Sequence, residues 1–133
     1  MLILHLEDSE SDRELIGRAM LNQGIECEVH WAKSNEEFAK MLADDPVDLV
    51  LCDSSGHGVD GGTALALVRQ MQPDAVFVFV TGRCNGSLAE GLAFWGSDGI
   101  VRKDNLAEMA QVLPRAFKRK GRRFEEMRVN LPA

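Results

Sequence analysis

The heptapeptide Val47-Asp48-Leu49-Val50-Leu51-Cys52-Asp53 constrains this chain more than any other stretch. An aliphatic run closed by a carboxylate, with Pro46 ahead of it and Ser54-Ser55-Gly56 behind, suits a strand buried on both faces in the middle of a parallel sheet. Asp53 then stands at the carboxyl end of an interior strand, where open α/β sheets place their ligand chemistry. Taken alone, the same strand also allows Asp53 to be no more than the first residue of a turn.

The rest of the chain alternates strand and helix around that run. Leu2–Leu6 is an apolar strand, and Ser9 or Ser11 caps a helix whose Leu15, Ile16, Ala19 and Met20 share a face. Asn22-Gln23-Gly24 stops it. Residues 25–32 form a second strand with Cys27, Val29 and Trp31 on one side, and Ser34 or Asn35 caps a helix carrying Phe38, Met41 and Leu42. After the key strand and a glycine-rich loop comes a helix with Leu65, Leu67, Val68 and Met71. A fully apolar strand, 75–80, follows and ends at Thr81. A fourth helix, 87–95, holds Leu88, Leu92 and Trp95, and a short strand, 98–102, ends at Lys103. Asp104 or Asn105 caps the last helix, whose Leu106, Met109, Ala110, Leu113 and Phe117 make one stripe that Pro114 kinks. The expected architecture is (βα)5: an α/β fold with a doubly wound, parallel five-stranded sheet and helices on both faces.

The 133 residues make one ordinary domain, and 45% hydrophobic residues exclude a disordered chain. No apolar run reaches the length of a membrane helix. Three cysteines, without metal-ligand spacing, read as reduced thiols, and the first residues carry no basic leader, so a cytoplasmic location is expected. The net charge of −6 is unevenly spread: residues 118–133 balance at +4 and residues 1–117 at −10. The acidic body argues against general nucleic-acid binding, and too few residues follow the basic run to make a DNA-binding domain. The division expected is a domain over 1–117 and a basic C-terminal helix extension or linker over 118–133. At its simplest, that extension is a solvated basic helix end.

The residues that end the strands matter together. Glu7-Asp8, Asp53, Thr81 and Lys103 fall on one edge of a parallel sheet, collecting three carboxylates, a hydroxyl and an ammonium. Clustered carboxylates repel, and a hard divalent cation with oxygen ligands, Mg²⁺, relieves that repulsion. Lys103 can supply a point charge to a phosphoryl group and Thr81 a hydrogen bond. The chemistry implied is phosphoryl transfer onto Asp53 as a carboxylate nucleophile.

With those residues in order, residues 1–117 resemble the receiver domain of two-component response regulators, a flavodoxin-like fold. The resemblance implies that Glu7 and Asp8 hold Mg²⁺ together with Asp53 and the backbone carbonyl of Ser55. It implies that Asp53 is the phospho-acceptor, that Thr81 follows the phosphate and that Lys103 pairs with it. Asp60-Gly61 falls on the family's Asp-Gly at the start of the third helix. The implied partner is a sensor histidine kinase or a histidine phosphotransfer protein. The implied role is a phosphorylation-switched signalling module, whose only chemistry is its own phosphorylation and dephosphorylation. The family tunes the phosphate lifetime two residues after the acceptor and two after the hydroxyl, here Ser55 and Arg83.

The chain departs from the family pattern in several places. Ser54-Ser55-Gly56-His57-Gly58 lacks the usual proline, Gly82 replaces alanine, Asp104 replaces the proline after the lysine, and Ile100 stands where an aromatic switch is usual. Ile100 is stiff at χ1 and has no polar tip to exchange between water and core. The output surface expected is therefore the fourth helix, the fifth strand and the fifth helix, offered to a downstream protein or to a second copy of the chain. Two other functions compete. A haloacid-dehalogenase-like phosphatase also uses a strand-end Asp but needs a second Asp two residues on, where Ser55 stands. A non-phosphorylated pseudo-receiver scaffold would have no use for the intact Glu7, Asp8, Asp53, Thr81 and Lys103. His5 reads as a satisfied core histidine, His57 as a solvated loop residue within reach of the phosphate at most, and Asp48 and Asp74 as turn or strand-entry residues.

Overall fold

Five parallel strands form the centre of the molecule, in the order β2-β1-β3-β4-β5. They are β1 (Leu2–Leu6), β2 (Glu28–Ala32), β3 (Leu49–Asp53), β4 (Val76–Thr81) and β5 (Gly99–Arg102). The computed structural model describes residues 2–25, 27–54, 59–82, 91 and 96–127. Within them lie the helices α1 (Glu10–Asn22), α2 (Asn35–Asp44), α3 (Gly61–Met71) and α4 (Met109–Arg119). Apart from Gly91, the helix expected at 87–95, with Trp95, lies outside the described residues, as do Ser55, His57 and Arg83.

The strands alternate between two cores. Leu2, Leu4, Leu6, Val50, Cys52, Phe77 and Phe79 face α2 and α3, where Phe38, Leu42, Leu65 and Val68 meet them. Ile3, Leu49, Leu51, Val76, Val78 and Val80 face α1 and α4, against Ile16, Met20, Leu113 and Phe117. Burial on both faces is what allowed β3 and β4 to read as unbroken apolar runs. The chain passes from β1 outward to β2 and returns to β3 on the other side of β1. That reversal opens a crevice at the carboxyl ends of β1 and β3.

The caps settle between the sequence alternatives. Ser9, not Ser11, caps α1 by accepting from the Asp12 amide, and Ser34, not Asn35, caps α2 by accepting from Glu37. Asn35 instead exchanges two hydrogen bonds with the Asp60 backbone, of 2.9 and 2.7 Å, tying the start of α2 to the start of α3. Asp60 caps α3 through Thr63, whose amide and hydroxyl hold its carboxyl below the usual range. Gly61 is required by packing: a Cβ there would lie 2.6 Å from Phe79 Cε1.

Three local expectations differ. β2 is shorter than residues 25–32, and Val29 is exposed, because an edge strand is covered on one side only. Leu15 is also exposed, leaving Ile16 and Met20 as the buried face of α1. The last helix does not start at a cap on Asp104 or Asn105. A 3-10 turn, Lys103–Glu108, with Asn105 at φ −146°, precedes it; Met109, Leu113 and Phe117 of the expected stripe are buried and Leu106 packs against the same core, but Ala116 rather than Ala110 completes the face. α4 runs through Pro114; the carbonyl that loses its partner there belongs to exposed Ala110, where water can bond it.

The basic run is only partly a solvated helix end. Lys118 and Arg119 close α4 and are exposed, but Gly121, at φ 68°, turns the chain back. Phe124 is then buried against Phe117, ring centroids 5.5 Å apart. Arg122 donates to the carbonyls of Asp48 and Asp74 and pairs with the Asp48 carboxylate. Asp48 also accepts from the Leu2 amide at 2.9 Å. It is thus a structural clamp under the amino ends of β1 and β3.

Candidate functional site

At the opposite edge the strand-end residues converge as their order predicted. β1 ends one residue before Glu7, β3 ends on Asp53 and β4 ends on Thr81. Arg102, which precedes Lys103, lies in register with Thr81. Glu7, Asp53 and Thr81 are almost completely buried, whereas Asp8 is exposed. Carboxylate oxygens of Glu7, Asp8 and Asp53 all lie within 4.8 Å of one another. An all-oxygen set at that spacing, with one member open to water, fits a hard cation that keeps part of its hydration shell, as Mg²⁺ does. The fourth expected ligand, the Ser55 carbonyl, lies outside the described residues.

Lys103 binds the cluster together. Its Nζ donates to Asp12 Oδ2 at 2.7 Å and to Asp53 Oδ1 at 3.1 Å. It lies 2.8 Å from Glu7 Oε1, an ion pair rather than an aligned hydrogen bond. Burial works to lower the lysine's pKa, but Asp12, Glu7 and Asp53 outweigh it and leave it raised. Burial pushes Glu7 up to about 7, and the charge of Asp53 adds to this, against the opposing pull of Lys103 and the Ser9 amide. That amide donates to Glu7 Oε2 at 3.2 Å, so Glu7 also braces the first turn of α1.

Trp31 fixes the backbone beside the acidic pair. Its Nε1 donates to the Glu7 carbonyl at 2.7 Å, and the Arg13 guanidinium sits 3.9 Å from its ring centroid. His5 lies on β1, two residues before Glu7, buried, with its Nε2 unpartnered, so it is a core histidine but not a satisfied one. Burial first, and Lys103 second, lower its pKa to about 4. Ile100 is half-buried and packs against the core that contains Phe79.

The sequence reading missed Asp12 and Trp31. Asp12 carried only the ordinary preference of acids for a first helical turn, and Trp31 only a place in an alternating strand. Their roles come from contacts across 91 and 24 positions.

The model of the response regulator receiver domain matches residues 3–113. Hybrid signal transduction histidine kinase G of Dictyostelium discoideum is 25% identical over 117 residues, covering 85% of this chain and 3% of that protein. Sensor kinase CckA of Brucella abortus (strain 2308) is 30% identical over 103 residues, 76% of this chain and 11% of its own length. This chain therefore spans a small part of the curated relatives it matches. In fold it is similar to a CheY-like response regulator receiver domain protein from Methanospirillum hungatei JF-1. The TM-score is 0.74 at 17% identity, over 90% of this chain and 95% of that one.

Proposed function

We propose, from the premise that the chain belongs to the response regulator receiver domain family, that it is a signalling receiver taking a phosphoryl group on Asp53. The observation that carries this is a buried carboxylate at the end of β3, 3.1 Å from a lysine ammonium and clustered with Glu7 and Asp8. The donor is a phosphohistidine on a sensor histidine kinase or a histidine phosphotransfer protein. An Asp53 carboxylate oxygen attacks phosphorus, the N–P bond breaks as the O–P bond forms, and the imidazole leaves with the electron pair and takes up a proton. Mg²⁺, held by Glu7, Asp8, Asp53 and the Ser55 carbonyl, supplies neutralising charge to the phosphoryl oxygens when bound.

This chain's own residues do the positioning. Lys103 offers an N–H to a phosphoryl oxygen, and Thr81 follows the phosphate with its hydroxyl. Arg83 prolongs the phosphorylated state by its charge. The signal leaves through residues 87–95, where the sequence pattern predicts a helix, through β5 and through α4. Ile100 cannot swing as an aromatic residue does, so backbone shifts carry the change to a downstream protein or a second copy. No helix among the described residues is long and apolar enough to cross a membrane, and we place the domain in the cytoplasm, where histidine kinases present their phosphate.

Incubation with acetyl phosphate and Mg²⁺, followed by mass spectrometry, tests the acceptor. One added phosphoryl group, absent in Asp53→Asn and without Mg²⁺, is the expected result. An unmodified wild-type chain would make it a pseudo-receiver scaffold.

A further inference from the structure

We propose that Asp12 is a positioning residue that acts through Lys103, competing for the ammonium and weakening the hold of this edge on a phosphoryl group. The proposal rests on the reading of Asp53 as the acceptor. The ammonium has three N–H groups, and three carboxylates surround it. The contact with Asp12, at 2.7 Å, is shorter than that with Asp53, at 3.1 Å. The lysine that must serve the phosphoryl group is thus held more closely by a carboxylate from α1 than by the acceptor.

The sign of the effect follows from geometry and charge. A phosphoryl group on Asp53 takes one N–H of Lys103. Two acceptors on one tetrahedral nitrogen lie about 4.5 Å apart. A phosphoryl oxygen and the Asp12 carboxylate would then be close like charges sharing one cation, in a site where Lys103 is 16% exposed. Asp12 is itself 33% exposed, so water screens part of this repulsion. The carboxylate has other support: it sits in the first turn of α1, where the helix dipole favours an acid, and Ser9 already caps that turn. Removing its charge therefore leaves α1 intact while releasing Lys103.

Asp12→Asn keeps the size and an acceptor oxygen but removes the charge; Asp12→Glu keeps the charge. Beryllofluoride binding with Mg²⁺ is read from Trp31 fluorescence in a Trp95→Phe background, since the indole is bonded to the Glu7 carbonyl. Asp12→Asn is expected to bind on the order of fivefold tighter than wild type, with the gain shrinking as salt rises, and Asp12→Glu to bind as wild type does. A second readout needs no phosphate analogue: acetylation of the Lys103 amine by acetic anhydride, followed by mass spectrometry, should be several-fold faster in Asp12→Asn alone. If wild type binds beryllofluoride and Asp12→Asn binds it no tighter, the proposal is overturned and the acceptor reading stands. If wild type shows no Mg²⁺-dependent binding, both fall.

Discussion

Replacing His5 by leucine should change the pH dependence of stability in a calculable way. The ring lies on β1 between Trp31 of β2 and Leu51 of β3 and is 1% exposed. Burial, then the charge of Lys103, lower its pKa from 6.5 to about 4. Between these values the unfolded chain binds a proton that the folded protein refuses. The stability is therefore fully present above pH 6.5 and drains away as pH falls toward 4. Linkage with these two values gives a loss of about 2 kcal/mol between pH 7 and pH 5. Glu7, raised to about 7, acts with the opposite sign: its folded state binds the extra proton, so it adds stability as pH falls. The wild-type curve sums the two, and only the difference between wild type and His5→Leu isolates the histidine. Urea unfolding in the presence of a chelator, at pH 7 and pH 5, measures it. At pH 7 the variant should differ little, because leucine removes an unpartnered nitrogen while keeping an apolar body. At pH 5 it should gain about 2 kcal/mol relative to wild type. A difference between the two proteins that is the same at both pH values would refute the reasoning.

Mg²⁺ should bind the wild-type chain in the millimolar range, about −4 kcal/mol, and Asp8→Ala should weaken it at least tenfold by calorimetry; equal affinities would remove the cation from this edge. Phe124→Ala should cost about 3 kcal/mol in urea unfolding by emptying the site against Phe117, and an unchanged midpoint would mean that residues 120–127 add nothing to the core. Gly61→Ala should cost about 1–3 kcal/mol, read as a lower Tm, because the new methyl meets a Phe79 ring locked edge-on against Phe77 at 4.9 Å; a retained Tm would show that the ring can move.

What the sequence by itself determined was the layering and the set of polar residues gathered at one edge of the sheet. Interior strands of a parallel sheet must be apolar on both faces, so residues 47–53 and 75–80 could hardly be anything else, and a polar residue ending such a strand has to emerge at the carboxyl edge. Glu7, Asp8, Asp53, Thr81 and Lys103 were legible for that reason. Strand order, the exposed side of β2 and the 3-10 turn ahead of α4 were not. An edge strand takes its exposure from its neighbours, and the 3-10 turn leaves the stripe of Met109, Leu113 and Phe117 unchanged, so periodicity shows neither. Tertiary structure alone decided that Asp12 shares the ammonium of Lys103, that Trp31 pins the Glu7 carbonyl and that Arg122 clamps Asp48. In each case the chemistry of the side chain permits many partners. Only the packing of α1, β2 and the C-terminal turn against the sheet brings residues 91, 24 and 74 positions apart within hydrogen-bond reach.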